Sequence, residues 1–162
     1  MEKDSVSSSA ERPSTIPWPP LLLVGAIVAA LALGRYAPLE WPGVDDSPAH
    51  VIGIGLGLAG LAIFVWAGLT LKRHRTTIIP TQAASTLVTD GPFRFRRHPI
   101  YIADTLILLG AAELTHNVWF AVLALVFAVL VTWLAILPEE RHLEAKFGDT
   151  FRAYKAKTRM WL

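Results

Sequence analysis

Residues 87–101 read LVTDGPFRFRRHPIY, a basic approach that runs straight into an apolar segment. It sets Arg94, Arg96, Arg97 and His98 directly before Pro99, and a strongly apolar run begins at that proline. A cluster of cations therefore stands where a membrane helix starts. A second polar cluster, Glu139-Glu140-Arg141-His142, follows Pro138 where the next apolar run ends. If the two runs form a hairpin, both clusters return to the same membrane face.

Composition supports membrane-embedded runs. Of the 162 residues, 53% are hydrophobic and 17% charged, against about 25% charged for a typical soluble chain. Apolar residues come in blocks rather than scattered, the pattern of spanning helices. The formal charge of +2 is mildly basic. Because Lys and Arg gather in flanking segments, that balance speaks for membrane orientation and against a nucleic-acid partner. The absence of Cys excludes disulfides, thiolate metal sites and a Cys nucleophile.

Working outward, residues 1–17 read as a polar, Ser-rich disordered tail on the cytoplasmic side. Residues 18–71 hold two transmembrane helices. The first apolar run, Leu21 to Leu33, is opened by Pro17, Pro19 and Pro20 and flanked by Trp18 and Tyr36, which makes a short span of about 18 residues. Ala30-Leu31-Ala32 resembles a signal-peptide cleavage site, but Glu2, Asp4 and Glu11 offset Lys3 and Arg12, so a retained helix is expected. Arg35 to Ser47, with Pro38, Pro42, Gly43, Asp45 and Asp46, reads as a loop. Ala49 to Leu71 gives a second span of about 23 residues. Gly53, Gly57, Gly60 and Gly68 share one face of it and suit close helix packing. Gly55 to Gly60 formally matches G-x-G-x-x-G, yet no strand precedes it and no acidic ribose partner follows.

Residues 72–98 carry Lys72, Arg73, Arg75, Arg94, Arg96 and Arg97, whereas the other interior loops hold only Arg35. The positive-inside rule puts this segment, and with four spans both termini, in the cytoplasm. Pro99 to Leu114 is a short third span and Val118 to Leu137 a fourth of about 20 residues. After Pro138 the period changes: Leu143, Phe147, Phe151 and Tyr154 recur at helical spacing among charges, an amphipathic interfacial helix that ends in Met160, Trp161 and Leu162. The fold class is thus an all-α integral-membrane bundle of about four spans with a C-terminal amphipathic helix. Residues 72–162 form its functional half, a transmembrane hairpin followed by that helix.

Glu113-Leu114-Thr115-His116 and Glu139-Glu140-Arg141-His142 are both Glu-x-x-His. A span of about 30 Å separates them, so they cannot ligate one centre, and no metal is expected. Asp104 within the third span has two open readings, a functional intramembrane acid or a first-turn residue favoured by the helix dipole.

The Leu87-to-Phe95 approach, the Arg97-His98-Pro99-x-Tyr101 core, the Glu139-Glu140 pair and the Leu143-x-x-x-Phe147-Gly148-x-x-Phe151-x-x-Tyr154 tail together resemble the isoprenylcysteine carboxyl methyltransferase and phospholipid methyltransferase group. The resemblance covers the chain from about Lys72 onward. It implies an S-adenosylmethionine-dependent membrane methyltransferase whose cofactor lies between the last hairpin and the C-terminal helix. His98, Pro99, Tyr101, Glu140, Phe147 and Tyr154 fall on its cofactor-binding positions, with Arg97 and Glu139 as catalytic candidates. The implied partner is a lipophilic acceptor, a carboxylate, amine or thiol, reaching the site from among the membrane lipids. Ala103 departs from the small Gly that often stands there in the group. Two further readings stay open: a non-catalytic binding or assembly protein on the same fold, and an NADPH-dependent membrane reductase with a similar C-terminal pattern.

Overall fold

The structure, a computed structural model, describes residues 16–39, 47–76 and 86–161. The N-terminal tail up to Thr15 lies outside the described residues, as do 40–46 of the first loop and 77–85 of the basic segment. Six α-helices account for most of the described chain: α1 Trp18–Tyr36, α2 Ser47–Arg73, α3 Pro99–Thr115, α4 Val118–Val131, α5 Leu137–Phe147 and α6 Asp149–Lys157. A 3₁₀ turn over Gly91–Arg94 leads into α3, and no strand occurs among the described residues.

Proline opens the helices where sequence reasoning put it. Pro19 and Pro20 sit in the first turn of α1, and Pro99 is the first residue of α3, positions at which a missing N–H costs nothing. Asn117 caps α4: its Oδ1 accepts from the Trp119 N–H at 3.0 Å, while its Nδ2 donates to the Ala30 carbonyl of α1 at 2.9 Å. The bundle runs α2, α3, α4, α1 in spatial order, since α3 packs against both α2 and α4 and α1 packs on α4.

The surface identifies the solvent. Leu21, Val24, Val28 and Leu31 on α1, Leu58, Leu61 and Val65 on α2, and Leu125, Val129 and Trp133 on and beyond α4 are all exposed. Only 17% of an 18-residue apolar stretch of α1, and likewise of α2, is buried inside the bundle. Apolar faces that large on a folded chain are met by lipid. Three helices are long and apolar enough to cross a membrane, Trp18–Tyr36, Pro48–Arg73 and Val118–Phe147. The fourth, α3, has 17 residues and the most interior position, flanked by α2 and α4.

The glycine face of α2 is the seam with α3. A Cβ added at Gly110 would lie 2.5 Å from the Gly57 Cα, and one added at Gly60 would lie 2.7 Å from the Ala103 carbonyl oxygen. The two backbones touch there, as small residues allow in lipid. The string Gly55 to Gly60 lies inside this helix.

The C-terminal part differs from the single amphipathic helix read from the sequence. α4 does not stop at Pro138 but runs through a π turn, Thr132–Ile136, straight into α5. Proline lacks an N–H, and its ring clashes with the carbonyl four residues back. A wide turn placed just before Pro138 accommodates both defects without breaking the helix. The break comes later, at Gly148, whose φ of 52° suits glycine, and α6 then turns back. The final described residues are tied back to the bundle, while Leu162 lies outside the described residues. Trp161 donates its Nε1–H to the Thr132 hydroxyl at 3.0 Å, so the tail returns to the π turn.

Candidate functional site

The hairpin brings the two charged clusters together. His98 is the N-cap of α3, and Pro99 starts that helix; Glu139 and Glu140 occupy the first turn of α5. Glu140, 3% exposed, is the hub. Its Oε1 accepts from Arg97 Nε at 2.6 Å and lies 3.3 Å from His98 Nε2, while its Oε2 lies 3.2 Å from Lys155 Nζ on α6. Charge-assisted contacts of this kind are the strong ones.

Arg97 ties three elements. Besides Glu140, its Nη1 donates to the carbonyls of Lys155, at 3.2 Å, and Thr158. These close the C-terminal end of α6, where a cation also offsets the helix dipole. The Arg97 backbone N–H donates to the Arg159 carbonyl at 3.0 Å, and Arg96 and Arg159 form an isolated bridge. Tyr154 adds a further strut: its hydroxyl donates to the Phe93 carbonyl at 2.6 Å, and burial pushes the phenol up to about 12.

Glu139 is the more open carboxylate, its side chain 31% exposed. Tyr101 donates its hydroxyl to Glu139 Oε2 at 3.2 Å, and the His98 ring stacks on the Tyr101 ring at 5.7 Å with 14° between planes. Two polar atoms nearby in the chain are buried without a hydrogen-bond partner, Arg96 Nε and His142 Nε2. The result is an aromatic and ionic cluster roofed by α6, with one carboxylate left accessible.

Of the residues singled out by sequence, Arg97, His98, Pro99, Tyr101, Glu139, Glu140 and Tyr154 gather at this end of the bundle. Phe147 is set apart: it lies seven residues beyond Glu140, about 10 Å along the α5 axis, half-buried with Lys146 Nζ 5.9 Å from its ring centroid. Lys155 joins the cluster without a signal in the sequence, because a lysine on an amphipathic helix reads as solvated and the sequence does not show how Gly148 redirects α6. Asp104 is buried with its Oδ1 unpartnered, one turn beyond Tyr101 on α3. Ala103 is fully buried where α3 meets α2.

These features make the chain a helical membrane protein with a buried polar cluster at one end of the bundle, packed over by α6. The chain belongs to the phospholipid methyltransferase family, whose profile matches residues 48–150. It is 30% identical over 142 residues to the cobalt-zinc-cadmium resistance protein CzcN of Cupriavidus metallidurans, an alignment covering 85% of this chain and 58% of that protein. It is 25% identical over 142 residues to the nickel-cobalt-cadmium resistance protein NccN of Alcaligenes xylosoxydans xylosoxydans, covering 85% of this chain and 59% of that one. An uncharacterized protein of Haemophilus influenzae is 38% identical over 65 residues, 39% of this chain and all of that protein. The chain thus spans under two thirds of the two resistance proteins it matches. No solved structure matches it.

Proposed function

We propose that this protein is a membrane methyltransferase that takes its methyl group from S-adenosylmethionine and delivers it to a lipophilic acceptor. The observation that carries the reading is the meeting of Arg97, His98 and Tyr101 with Glu139 and Glu140 under α6, in a chain of the phospholipid methyltransferase family.

The donor set fits the cofactor. Its ammonium and sulfonium call for anions and aromatic faces, and its carboxylate calls for cations. Glu139 is the acceptor with room for the ammonium; Tyr101 and His98 offer stacked ring faces; Lys155 and the unpartnered Arg96 Nε are donors for a carboxylate. Bound there, the cofactor supplies a methyl activated by its positive sulfur. The protein's part is then alignment and exclusion of water. Arg97 and Tyr154 act as positioning residues, because their polar atoms hold α6 and the 3₁₀ turn in place over the cluster. A carboxylate acceptor is already ionised near neutral pH and needs no base. For an amine or thiol, Glu139 is the nearest open proton acceptor.

A lipophilic acceptor suits a cluster that sits at the end of a bundle with apolar outer faces and is packed over by α6. A chain remaining in hydrocarbon gains about 0.8 kcal/mol per buried CH₂ and arrives at the depth of the cluster. The Lys and Arg bias of residues 72–98 supports a cytoplasmic orientation for the site and both termini. The names of the two resistance proteins suggest a setting, methylation of an envelope constituent under exposure to divalent metals.

Binding without catalysis is the second reading. One observation favours it: Glu140 already holds Arg97, His98 and Lys155 and has little exposed surface. Radiolabelled methyl transfer in liposomes separates the two, using acceptors that share one head group and differ in chain length. Label in the long-chain acceptor above the short supports the proposal. No label in any lipid, from protein that binds S-adenosylmethionine, supports binding alone.

A further inference from the structure

The opposite end of the bundle holds a second polar cluster. His50 stands in the first turn of α2, Glu113 in the last turn of α3 and His116 at the α3 C-cap. Residues 113 and 116 are the first of the two Glu-x-x-His pairs in the sequence; His50, more than sixty positions earlier, is the partner that sequence spacing could not supply. One ligand atom from each of the three lies within 4.8 Å of the other two. His50 Nδ1 is 3.6 Å from Glu113 Oε1, and the two imidazoles stack at 6.3 Å. α3 separates this cluster from Glu140 by about 25 Å, so the two sites face opposite sides of the membrane.

Three features suit a cation rather than a packing role. Glu113 is 8% exposed, and among the described residues no Lys or Arg pairs with it; a buried carboxylate needs a positive partner. The fold makes room for it, since a Cβ at Gly53 would lie 2.2 Å from Glu113 Cγ. His116 adopts φ 49° and ψ 36°, a left-handed cap that Gly or Asn reaches at lower cost. Both imidazoles are exposed, so a cation has a path from water.

We propose that His50, Glu113 and His116 form a binding site for a first-row divalent transition metal of the Zn²⁺ type. Two imidazoles and one carboxylate are a borderline donor set that selects such ions over Mg²⁺ or Ca²⁺. Ligand atoms around a tetrahedral ion, at about 2.1 Å each, stand about 3.4 Å apart. The 3.6 Å His50–Glu113 separation is already close to that, and the exposed His50 side chain can close the remaining gap. Three protein ligands leave a coordination position for water or a further ligand. The ion would clamp the start of α2 to the α3–α4 turn.

The test is titration of the purified full chain in detergent, its affinity tag removed, with Zn²⁺ followed by calorimetry and Co²⁺ followed by visible absorption. Wild type binds one equivalent of each. His50→Ala and His116→Ala, both surface changes, each weaken Zn²⁺ at least about tenfold, since loss of even an outer partner costs that much. Glu113→Gln, which keeps the shape packed against Gly53, does the same, and His74→Ala binds as wild type does. Unchanged stoichiometry and affinity in the two His variants overturns the site, as does wild type that takes up no equivalent by about 100 µM Zn²⁺, orders of magnitude above the dissociation constants of structural Zn²⁺ sites.

Discussion

Replacing Glu140 with Gln removes the charge at the centre of the lidded cluster and leaves its partners in place. The Arg97 and Glu140 side chains are 8% and 4% exposed, so the pair is effectively buried. Breaking such a pair from one side costs about 3–5 kcal/mol, because the remaining guanidinium stays buried without its counter-charge. Lys155 is 42% exposed and its contact is screened, so Lys155→Ala should cost at most about 1 kcal/mol. For a chain of this length each kcal/mol moves the midpoint by about 2–4 °C, which gives a drop of roughly 6–20 °C for Glu140→Gln. The assay is thermal unfolding in detergent without cofactor, together with Arg97→Gln and the double variant. The double variant should be less destabilised than the sum of the singles, as coupled partners require. A Glu140→Gln midpoint within about 2 °C of wild type, with additive singles, would refute the hub.

Tyr154→Phe should cost about 0.5–1.5 kcal/mol through loss of the hydrogen bond to Phe93. The fold raises the phenol from 10 to about 12, so its contribution is complete below pH 10 and is lost as pH rises through that interval. The midpoint gap between wild type and variant should hold steady up to pH 10 and narrow above it; a gap that does not narrow contradicts the buried strut. Gly110→Val forces atoms onto the Gly57 backbone and should destabilise by about 1–3 kcal/mol, whereas Gly25→Val, with nothing within 4 Å, should not. Equal effects in unfolding assays would remove the α2–α3 contact. Single cysteines in this Cys-free chain test orientation. An impermeant maleimide on intact cells should label Leu39→Cys and reach Thr86→Cys only after permeabilisation, and the reverse pattern inverts the topology.

The helices were legible because hydropathy blocks, flanking aromatics and opening prolines are local signals, and α1, α2, α3 and α4 follow them closely. The meeting of Arg97-His98 with Glu139-Glu140 was legible for a similar reason: a hairpin of two spans must return its ends to one face. The course of the chain beyond Pro138 was not legible. A proline after an apolar run reads as a stop, and only the π turn at Thr132–Ile136 shows how the helix absorbs it. With the break moved to Gly148, Lys155 becomes a partner of Glu140 and Trp161 a partner of Thr132, contacts between segments whose relative direction no periodicity encodes. The resemblance put Glu140 among the cofactor-binding positions and Glu139 among the catalytic candidates; the structure makes Glu140 a buried hub and leaves Glu139 the accessible acid.

Binding of S-adenosylmethionine at this cluster is measured by calorimetric titration of the purified protein in detergent. Wild type should bind one equivalent of S-adenosylmethionine and no NADPH. Glu139→Gln and His98→Ala should each weaken binding by about 1.5–3 kcal/mol, roughly 10- to 150-fold. Folded wild type that gives no heat with S-adenosylmethionine, or that binds it as tightly after either substitution, would contradict the account.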